Sequence, residues 1–355
     1  MLPLWPLVEV IGLQFLFVMI WSILSKLIYT KYFRPTKMLM ILGENETSHL
    51  RKKMQGNHDS FDIHESVRLS QGMDVILESL KHYSDVIISD VPSEYRNKIL
   101  KECYKESKRV FMTPKISDII IRGSLNIHLF DTPLLLANNR GLKLEQRFFK
   151  RVFDVFVSLI ALIILFIPLV LISLLIKLHD GGPVFYTQER LTRGGKIFHI
   201  IKFRSMRVDS EADQVARLAS LNDHRITPLG KILRATHVDE LPQLINILKG
   251  DMSLVGPRPE RPDIAKIYEE SIPEFSYRLK VKAGLSGYAQ VFGQYNTTPS
   301  DKLKLDLFYI ENYSFVRDLH IILLTVKIMF MKEKSEGITH DGVSALVTPP
   351  EQSKS

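Results

Sequence analysis

An uncharged apolar segment with a proline near its middle limits most strongly what this chain can fold into. Residues 155–176, VFVSLIALIILFIPLVLISLLI, lie between Asp154 and Lys177 and contain no charged side chain. About 20 apolar residues are enough for a helix to cross the hydrocarbon core of a bilayer. Pro168 removes a backbone donor and clashes with the preceding turn, so we expect the helix to bend or break there.

Basic side chains on both sides of this segment bear on its path through a bilayer. Those before it are Lys143, Arg147, Lys150 and Arg151, and those after it are Lys177, Arg190, Arg193 and Lys196. A straight span would place one group outside the cell, against the preference of Lys and Arg for cytosolic loops. We therefore predict a re-entrant helix over residues 152–178, which enters and leaves at the cytosolic face. The alternative is a kinked helix that crosses the bilayer once.

The amino end carries another apolar run. Residues 10–25 contain no charge, and only Glu9 and Lys26 interrupt the wider apolar stretch around them. A cleaved signal peptide would have basic residues before its apolar run, whereas here they follow it. We predict a transmembrane anchor over residues 1–30, with the chain after it in the cytosol.

Strands and helices alternate over residues 37–135, between the two apolar segments. Three apolar runs predict strands: KMLMILG (37–43), DVIISD (85–90) and RVFMTP (109–114). Between the last two, Tyr95, Ile99 and Cys103 follow a predicted Ser93 cap at helical spacing. The alternation predicts a Rossmann-like parallel sheet covered by helices.

The phosphate-binding fingerprint of such domains is missing. Gly43 is the only glycine in LGENETS, where the G-x-G-x-x-G pattern needs three. We predict a degenerate domain with a structural or regulatory role rather than a nucleotide site. Cys103 is the only cysteine, so no intrachain disulfide can form and a reducing compartment is favoured.

The net charge of +8 favours an anionic partner, whether nucleic acid, a membrane surface or a phosphorylated substrate. No reading helix or zinc module of a nucleic-acid-binding protein is recognisable.

A β-hairpin is predicted where the turn TRGGK lies between PVFYTQER and IFHIIKFRSM. Residues 319–331 are too short to span a bilayer and predict an interfacial or core-packed helix. The polar tail, residues 333–355, is predicted to be disordered.

Two adjacent carboxylates, Asp239 and Glu240, precede a predicted helix. Pro242 fixes its register, because proline is tolerated only in the first turn. Asp239 is then the predicted N-cap, and Gly250 lies where a C-terminal cap belongs. The predicted apolar face consists of Leu241, Leu244, Ile245 and Leu248.

Capping alone would explain a single aspartate at this place. The adjacent glutamate, in a chain with many basic residues, instead predicts an anionic substrate together with a divalent cation. The basic candidates are Lys202, Arg204, Arg234 and Arg258. A carboxylate can ligate Mg²⁺ beside phosphate oxygens, and it can attack phosphorus. Pro257 and Pro259 restrict the backbone around Arg258, which suits a bidentate phosphate contact.

Four segments carry a family resemblance: KRVFDVFVSLIALIILFIPLVLI, GGPVFYTQER…GGKIFHIIKFRSM, HVDELPQLINILKGDMSLVGPRPE and VKAGLSGYAQVFG. Together they resemble the bacterial sugar transferases, which are monotopic phosphoglycosyl transferases, also called polyprenyl-phosphate hexose-1-phosphate transferases. The resemblance covers residues 145–332 in order. The amino-terminal part is similar to the degenerate nucleotide-fold domain of longer members, which usually have several transmembrane helices where one is predicted in this sequence.

The resemblance implies the reaction. Such enzymes transfer a sugar-1-phosphate from a UDP-sugar, such as a UDP-hexose of glucose or galactose, to undecaprenyl phosphate and release UMP. The aspartate of the pair, here Asp239, would be the nucleophile and lie beside Mg²⁺, and Glu240 would support the metal or proton transfer. Arg258 matches the arginine that binds phosphate in this family. Lys202, Arg204, Arg234, Arg190 and Lys282 are further candidates for phosphate binding.

The implied architecture is an α/β membrane protein. It combines the anchor, the Rossmann-like domain and a mostly helical monotopic catalytic domain over residues 145–332 with its re-entrant, Pro-broken helix. The implied setting is the bacterial cytoplasmic membrane, with the catalytic domain facing the cytosol. The implied role is the first membrane step of capsule, exopolysaccharide or O-antigen synthesis, without nucleic acid, and a homo-oligomer is compatible with it.

Two positions depart from the family pattern. Ile167 stands where a serine often precedes the bend proline, so the bend lacks that hydroxyl. Lys282-Ala283-Gly284 replaces the more usual Arg-Pro-Gly, which keeps the charge but loses bidentate geometry.

Other function classes fit less well. A metal-dependent glycosyltransferase would use an Asp-x-Asp motif, and no two aspartates of this chain are two positions apart. A non-catalytic membrane-anchored scaffold or regulator of polysaccharide assembly would account for the anchor and the basic charge. It leaves the Asp-Glu pair and Arg258 without a role.

Overall fold

The computed structural model describes residues 5–32, 36–43, 50, 54, 61–137, 141–207, 225–293 and 297–329. Its contacts divide the chain into two compact units, Met1–Thr113 and Pro114–Ser355. The tail predicted to be disordered lies outside the described residues.

The first element is α1 (Trp5–Tyr32), the helix predicted at the amino end. Its segment Glu9–Ile28 has a mean hydropathy of 1.9, and none of it is buried within the protein. In the described part of the chain, two helices are long and apolar enough to cross a membrane, and α1 is the first of them.

A four-stranded parallel sheet forms the core of the first unit, with strand order β2-β1-β3-β4. Its strands and connecting helices are β1 (Lys37–Leu42), β2 (Asp62–Arg68), α2 (Met73–Leu80), β3 (Asp85–Ser89), α3 (Ser93–Lys105) and β4 (Arg109–Met112). Leu39 and Ile41 are buried in one apolar cluster, and Met38 and Met40 in another. Burial of β1 in both clusters explains why its sequence is a continuous apolar run rather than an alternating one.

The parallel sheet is confirmed, and β2 is an additional strand that was not predicted. The prediction of a Ser93 cap is wrong, because Pro92 occupies the N-cap position and no side chain caps α3. Ile99 and Cys103 are buried as predicted, but Tyr95 is 39% exposed and Arg96 is buried in its place. The buried positions Arg96, Ile99 and Cys103 are three and then four residues apart, which matches the 3.6-residue helical period better than the predicted spacing of four and four.

Gly43 has a packing role at the end of β1. Its amide donates to the Ser89 carbonyl at 2.9 Å. A Cβ at this position would lie 2.0 Å from the Asp90 carbonyl oxygen, so no side chain fits. Close approach of two backbones therefore accounts for the glycine without a ligand.

The second unit consists of helices around short strand pairs. Its elements are α4 (Ile116–Arg122), β5 (Leu125–Leu129), β6 (Thr132–Leu136), α5 (Leu144–Asp180), β7 (Phe185–Leu191), β8 (Ile197–Phe203), α6 (Pro228–Ala235), α7 (Gln243–Lys249), β9 (Met252–Val255), α8 (Pro262–Ser271), β10 (Ala283–Ser286), α9 (Tyr288–Phe292), α10 (Pro299–Glu311) and α11 (Phe315–Met329). Residues 116–136, which the sequence placed at the end of the sheet domain, belong to this unit. The predicted hairpin is confirmed as the antiparallel pair β7–β8, and β9 pairs with β10 in parallel.

The apolar segment with the proline forms one helix. α5 runs through Pro168 from Leu144 to Asp180. The break predicted at Pro168 is therefore wrong, because proline removes one donor and the remaining backbone hydrogen bonds continue the helix on both sides. A re-entrant path needs only a bend there and stays a prediction.

Both ends of α5 contact the same unit. Near its start, Asp154 Oδ1 accepts a hydrogen bond from the Leu254 amide of β9 at 3.1 Å. Near its end, Ile176 packs in a buried cluster with Phe203 and Leu233. Between these contacts, the side chains around Pro168 are apolar and exposed.

Candidate active site

A short 3-10 turn, Val238–Glu240, carries the carboxylate pair. His237 precedes it in the left-handed region, with φ 54°. The prediction that Asp239 caps the next helix is wrong, because Pro242 is the N-cap of α7 and the turn separates the two. Gly250 ends α7 with φ 95°, as predicted. The pair is thus displayed on its own turn rather than used to satisfy α7.

The predicted apolar face of α7 is partly wrong. Leu244 is buried as predicted, but Ile245 is 36% exposed and Ile247 is fully buried instead. The start of α7 at Gln243 rotates its buried face, so that Gln243 and Asn246 are also buried. Buried polar side chains need hydrogen-bond partners, so Gln243 and Asn246 indicate roles other than apolar packing.

Glu240 is held between two cations. Lys202 Nζ lies 2.6 Å from Glu240 Oε1, and Arg258 Nη2 lies 2.8 Å from the same oxygen. Arg258 Nη1 also donates to Glu240 Oε2 at 3.4 Å, so the contact between the guanidinium and the carboxylate is bidentate. Burial alone would raise the pKa of Glu240, but the charges and hydrogen bonds of Arg258 and Lys202 outweigh it and hold the pKa well below its usual range. Glu240 is therefore ionised, and we call these three residues the Glu240 clamp.

Asp239 has a different environment from its neighbour. The residue is 8% exposed, and its carboxylate makes no hydrogen bond or ion pair with any residue that the structure describes. Burial raises the pKa of Asp239, and the adjacent Glu240 charge raises it further. Lys202, Arg234 and Arg258 lower the pKa in part. The result is a basic, unengaged carboxylate next to an engaged one.

A buried ionic network holds the backbone of Arg258. Arg278 Nη2 donates to the Arg258 carbonyl at 2.8 Å and lies 2.7 Å from Asp306 Oδ2. Arg278 Nη1 is 3.5 Å from Glu260 Oε1, which also pairs with Lys302. The backbone of the Pro-flanked loop is thereby fixed by buried charges as well as by its prolines.

Asn246 fixes the strand that carries Lys202. Its Oδ1 accepts from the Ile201 amide at 2.9 Å, and its Nδ2 donates to the His199 carbonyl at 2.8 Å. Both bonds join α7 to β8. The turn before α7 and the strand with Lys202 are consequently held in one geometry.

The other predicted phosphate-binding residues lie at different distances from the pair. Arg234 Nε donates to Ser205 Oγ at 2.7 Å, and its charge acts on Asp239. Arg190 lines a cleft with Lys202 and Arg258. Arg204 pairs with Asp180 at the end of α5.

Lys282 belongs to another surface. A Cβ on Gly250 would lie 3.6 Å from Lys282 Nζ and 3.4 Å from Arg151 Nη2. Arg151 donates to the carbonyls of Ile247 and Leu248, the last turn of α7. The structure therefore brings Lys282 to the carboxyl end of α7, where cations are stabilising, and not to the Glu240 clamp.

Sequence reasoning missed several residues around the site: Gln243, Asn246, Glu260, Arg278, Lys302 and Asp306. Gln243 and Asn246 carried a signal, since they interrupt an apolar helix at the spacing of its buried face. The ionic network behind Arg258 carried none. Its members come from three separate segments and meet only in the folded chain.

No group of three or more His, Cys, Asp or Glu side chains with metal-binding geometry occurs in the described part of the chain. Mg²⁺ does not require such a group, because it is commonly bound by one or two carboxylates together with phosphate oxygens. The unengaged Asp239 carboxylate fits that donor set. Glu240 fits it less well, since Lys202 and Arg258 already occupy both of its oxygens.

Comparison with known proteins supplies the family. The sequence pattern described as "Bacterial sugar transferase" matches residues 145–332, more than half of the 355-residue chain. The chain belongs to the bacterial sugar transferase family. The matched region contains the Glu240 clamp, Asp239 and the apolar helix α5.

Individual sugar transferases match over different lengths. The UDP-N-acetylgalactosamine-undecaprenyl-phosphate N-acetylgalactosaminephosphotransferase of Aeromonas hydrophila is 43% identical over 184 residues, 51% of this chain and 43% of the relative. The UDP-glucose:undecaprenyl-phosphate glucose-1-phosphate transferase of Caulobacter vibrioides is 44% identical over 183 residues, 50% of this chain and 68% of the relative. The galactosyl transferase CpsE of Streptococcus agalactiae is 32% identical over 336 residues, 85% of this chain and 74% of the relative. The chain thus spans less than half of the first relative and about three quarters of the third.

Proposed function

We propose that this protein transfers a sugar-1-phosphate from a UDP-sugar to undecaprenyl phosphate through a covalent intermediate on Asp239. The observation that carries the proposal is the contrast within the carboxylate pair. The negative charge of Glu240 is compensated by Lys202 and Arg258. The buried Asp239 carboxylate has no protein partner among the described residues. An unpaired buried carboxylate is costly, which favours a reactive role over a structural one.

In the first step, an Asp239 oxygen attacks the sugar-bearing phosphorus of the UDP-sugar. The bond from that phosphorus to the bridging oxygen breaks, and UMP leaves with the oxygen and its electron pair. The raised pKa of Asp239 makes its ionised form a stronger nucleophile than an ordinary carboxylate. Arg258, held by Glu240 and by Arg278, offers a fixed guanidinium to the phosphates.

In the second step, an oxygen of undecaprenyl phosphate attacks the phosphorus of the intermediate. The phosphorus–Asp239 bond breaks, the carboxylate is regenerated, and a lipid-linked diphosphate sugar is formed. Lys202 and Arg258 lie beside the pair and would offset the charge of both phosphoanions. Bound Mg²⁺ would supply further charge neutralisation at the phosphates, with Asp239 as its protein ligand.

A lipid acceptor requires the site to lie at the membrane surface, and we propose that α5 is re-entrant. Contacts at both of its ends support this path, since Asp154 bonds to β9 and Ile176 packs against Phe203 in the same unit. A helix that crossed the bilayer would carry its two ends to opposite sides. The exposed apolar side chains around Pro168 would then enter the cytosolic leaflet.

Cysteine labelling tests the path of α5. In a Cys103→Ala background, Leu178→Cys is expected to resist a membrane-impermeant maleimide on intact cells and to react after permeabilisation. Trp5→Cys, at the start of α1, is the matched control and is expected to react on intact cells. Labelling of Leu178→Cys on intact cells would reject the re-entrant path.

The matched relatives are named for glucose, galactose and N-acetylgalactosamine transfer, and one is named for exopolysaccharide production. We propose that this enzyme uses a UDP-hexose, such as UDP-glucose or UDP-galactose. It would start polysaccharide synthesis at the cytosolic face of the bacterial inner membrane. A non-catalytic scaffold would gain nothing from a buried, unengaged Asp239.

The test uses membranes that contain the protein, with Mg²⁺, undecaprenyl phosphate and a panel of UDP-sugars. We expect rapid UMP release with one UDP-hexose of the panel, and release that depends on Mg²⁺. Chelation with EDTA is the matched control, since it should stop UMP release and excess Mg²⁺ should restore it. Absence of UMP release with every sugar of the panel would contradict the proposed reaction.

A further inference from the structure

A cleft beside the Glu240 clamp contains a residue to which the reaction above gives no role. Its lining residues are Arg190, Ile200, Lys202, Gln243, Arg258 and Pro259. Gln243 is the first residue of α7 and lies three positions after Glu240.

Two donors in this cleft lack acceptors. Gln243 is 2% exposed, and its Nε2 has no hydrogen-bond partner within the described part of the chain. Arg190 Nε is likewise buried and unpaired among the described residues, although Nη1 of the same guanidinium donates to the Pro259 carbonyl at 3.1 Å. Buried donors are nearly always paired, and unpaired ones are destabilising. Two of them in one cleft indicate an acceptor that the described residues do not supply.

The charge of the cleft indicates what that acceptor is. Three of its lining residues, Arg190, Lys202 and Arg258, are cations. Glu240 is the carboxylate that bonds to Lys202 and Arg258, and Arg190 bonds to a carbonyl and to Gln188. A cleft with an excess of positive charge and free N–H donors suits an anion that has several acceptor oxygens.

We propose that Gln243 Nε2 and Arg190 Nε bind oxygens of a substrate phosphate in this cleft. Gln243 is then a substrate-binding residue that neither neutralises charge nor takes part in bond making. This inference rests on the proposed function only for the identity of the molecule that carries the phosphate. That molecule is either the nucleotide donor or the lipid acceptor, and both present the same oxygens.

Gln243→Met separates a binding role from a structural one. Methionine has a similar length and no donor, so its replacement of an unpaired amide is expected to leave the melting temperature unchanged or to raise it. Loss of a hydrogen bond to a charged phosphate is expected to raise KM by about 10- to 100-fold, with a smaller effect on kcat. A rise in KM for the UDP-sugar would place the donor phosphate in the cleft, and a rise for undecaprenyl phosphate would place the lipid phosphate there.

Ser253→Ala is the matched control. Ser253 on β9 is also buried with an unpaired hydroxyl, but it does not line the cleft. Its replacement is expected to preserve stability and both KM values. The inference is overturned if Gln243→Met leaves both KM values unchanged, or if it lowers the melting temperature below that of the wild type.

Calorimetry keeps this inference separate from the proposed reaction. We expect the purified protein to bind UDP or inorganic phosphate, and Gln243→Met to weaken that binding by at least about 10-fold. Should the wild type release no UMP while this difference persists, the proposed reaction fails and the phosphate site stands. Equal binding by both proteins overturns the phosphate site whatever the enzyme activity.

Discussion

Asp239→Asn is expected to abolish UMP release and to make the fold more stable. Asparagine cannot form the covalent intermediate, so turnover should fall by about 10⁴-fold or more. The stability gain follows from the raised pKa of Asp239, which reflects the cost of burying its charge. At neutral pH the wild type bears that cost and the variant does not.

The pH dependence fixes the sign of this effect. A group whose pKa is raised on folding stabilises the folded state at low pH, and that contribution is lost as the pH rises through the folded pKa. The melting temperature of Asp239→Asn should therefore exceed that of the wild type at pH 7. The difference should disappear as the pH falls below the ordinary aspartate value of 3.8.

Asp263→Asn, on the exposed start of α8, is the matched control for this experiment. It is expected to change neither the melting temperature nor the rate of UMP release. An Asp239→Asn protein that is less stable than the wild type at pH 7 would mean that the carboxylate has a structural partner. Retention of activity would remove Asp239 as the nucleophile.

Glu240→Gln is expected to have the opposite effect on stability. Lys202 Nζ and Arg258 Nη2 lie 2.6 Å and 2.8 Å from Glu240 Oε1. The neutral glutamine would leave these two cations close together without the negative charge that they share. The contact is only partly buried, with the Arg258 side chain 40% exposed, so loss of one partner is expected to cost about 1 to 3 kcal/mol. Activity should also fall, by about 10²-fold, because Arg258 loses the contact that orients it.

The low pKa of Glu240 sets the pH range of this difference. A lowered pKa contributes stability that is present above the unfolded value, 4.5, and is lost as the pH falls through the folded one. Denaturation by urea should therefore separate Glu240→Gln from the wild type at pH 7. The two should converge in acid.

The double variant Lys202→Met/Glu240→Gln tests the cause of the instability. Removal of one uncompensated cation should recover part of the lost free energy of unfolding without recovering activity. If Glu240→Gln unfolds at the same urea concentration as the wild type at pH 7, the Glu240 clamp does not stabilise the fold. No recovery in the double variant would contradict charge imbalance as the cause.

Local patterns in the sequence predicted the elements that they determine. The apolar runs of β1 and β3 predicted a parallel sheet, and the turn TRGGK predicted the β7–β8 hairpin. The Pro-flanked Arg258 and the carboxylate pair predicted a phosphate-binding site, and the structure brings Arg258 and Glu240 into contact. The sheet and the hairpin are confirmed because a few neighbouring residues carry the whole physical reason, whereas phosphate binding stays a prediction.

Features that depend on distant contacts were not predictable. Asp239 was predicted as a helix cap, but the left-handed backbone of His237 starts a separate turn, which no local propensity marks. Arg278 contacts Arg258 only because the 3-10 segment Pro273–Lys280 and α10 pack behind the loop and bring Asp306 to it. Lys282 was assigned to the site from resemblance, and packing against the end of α7 places it elsewhere.

The covalent intermediate is tested most directly without the lipid acceptor. The wild type, given its UDP-sugar and Mg²⁺ but no undecaprenyl phosphate, should release at most one UMP per protein and gain the mass of one sugar phosphate on the peptide that contains Asp239. Addition of undecaprenyl phosphate should remove that mass, and Asp239→Asn should show neither event. UMP release that begins only when the lipid is added, with no change in the mass of the protein, would contradict the account.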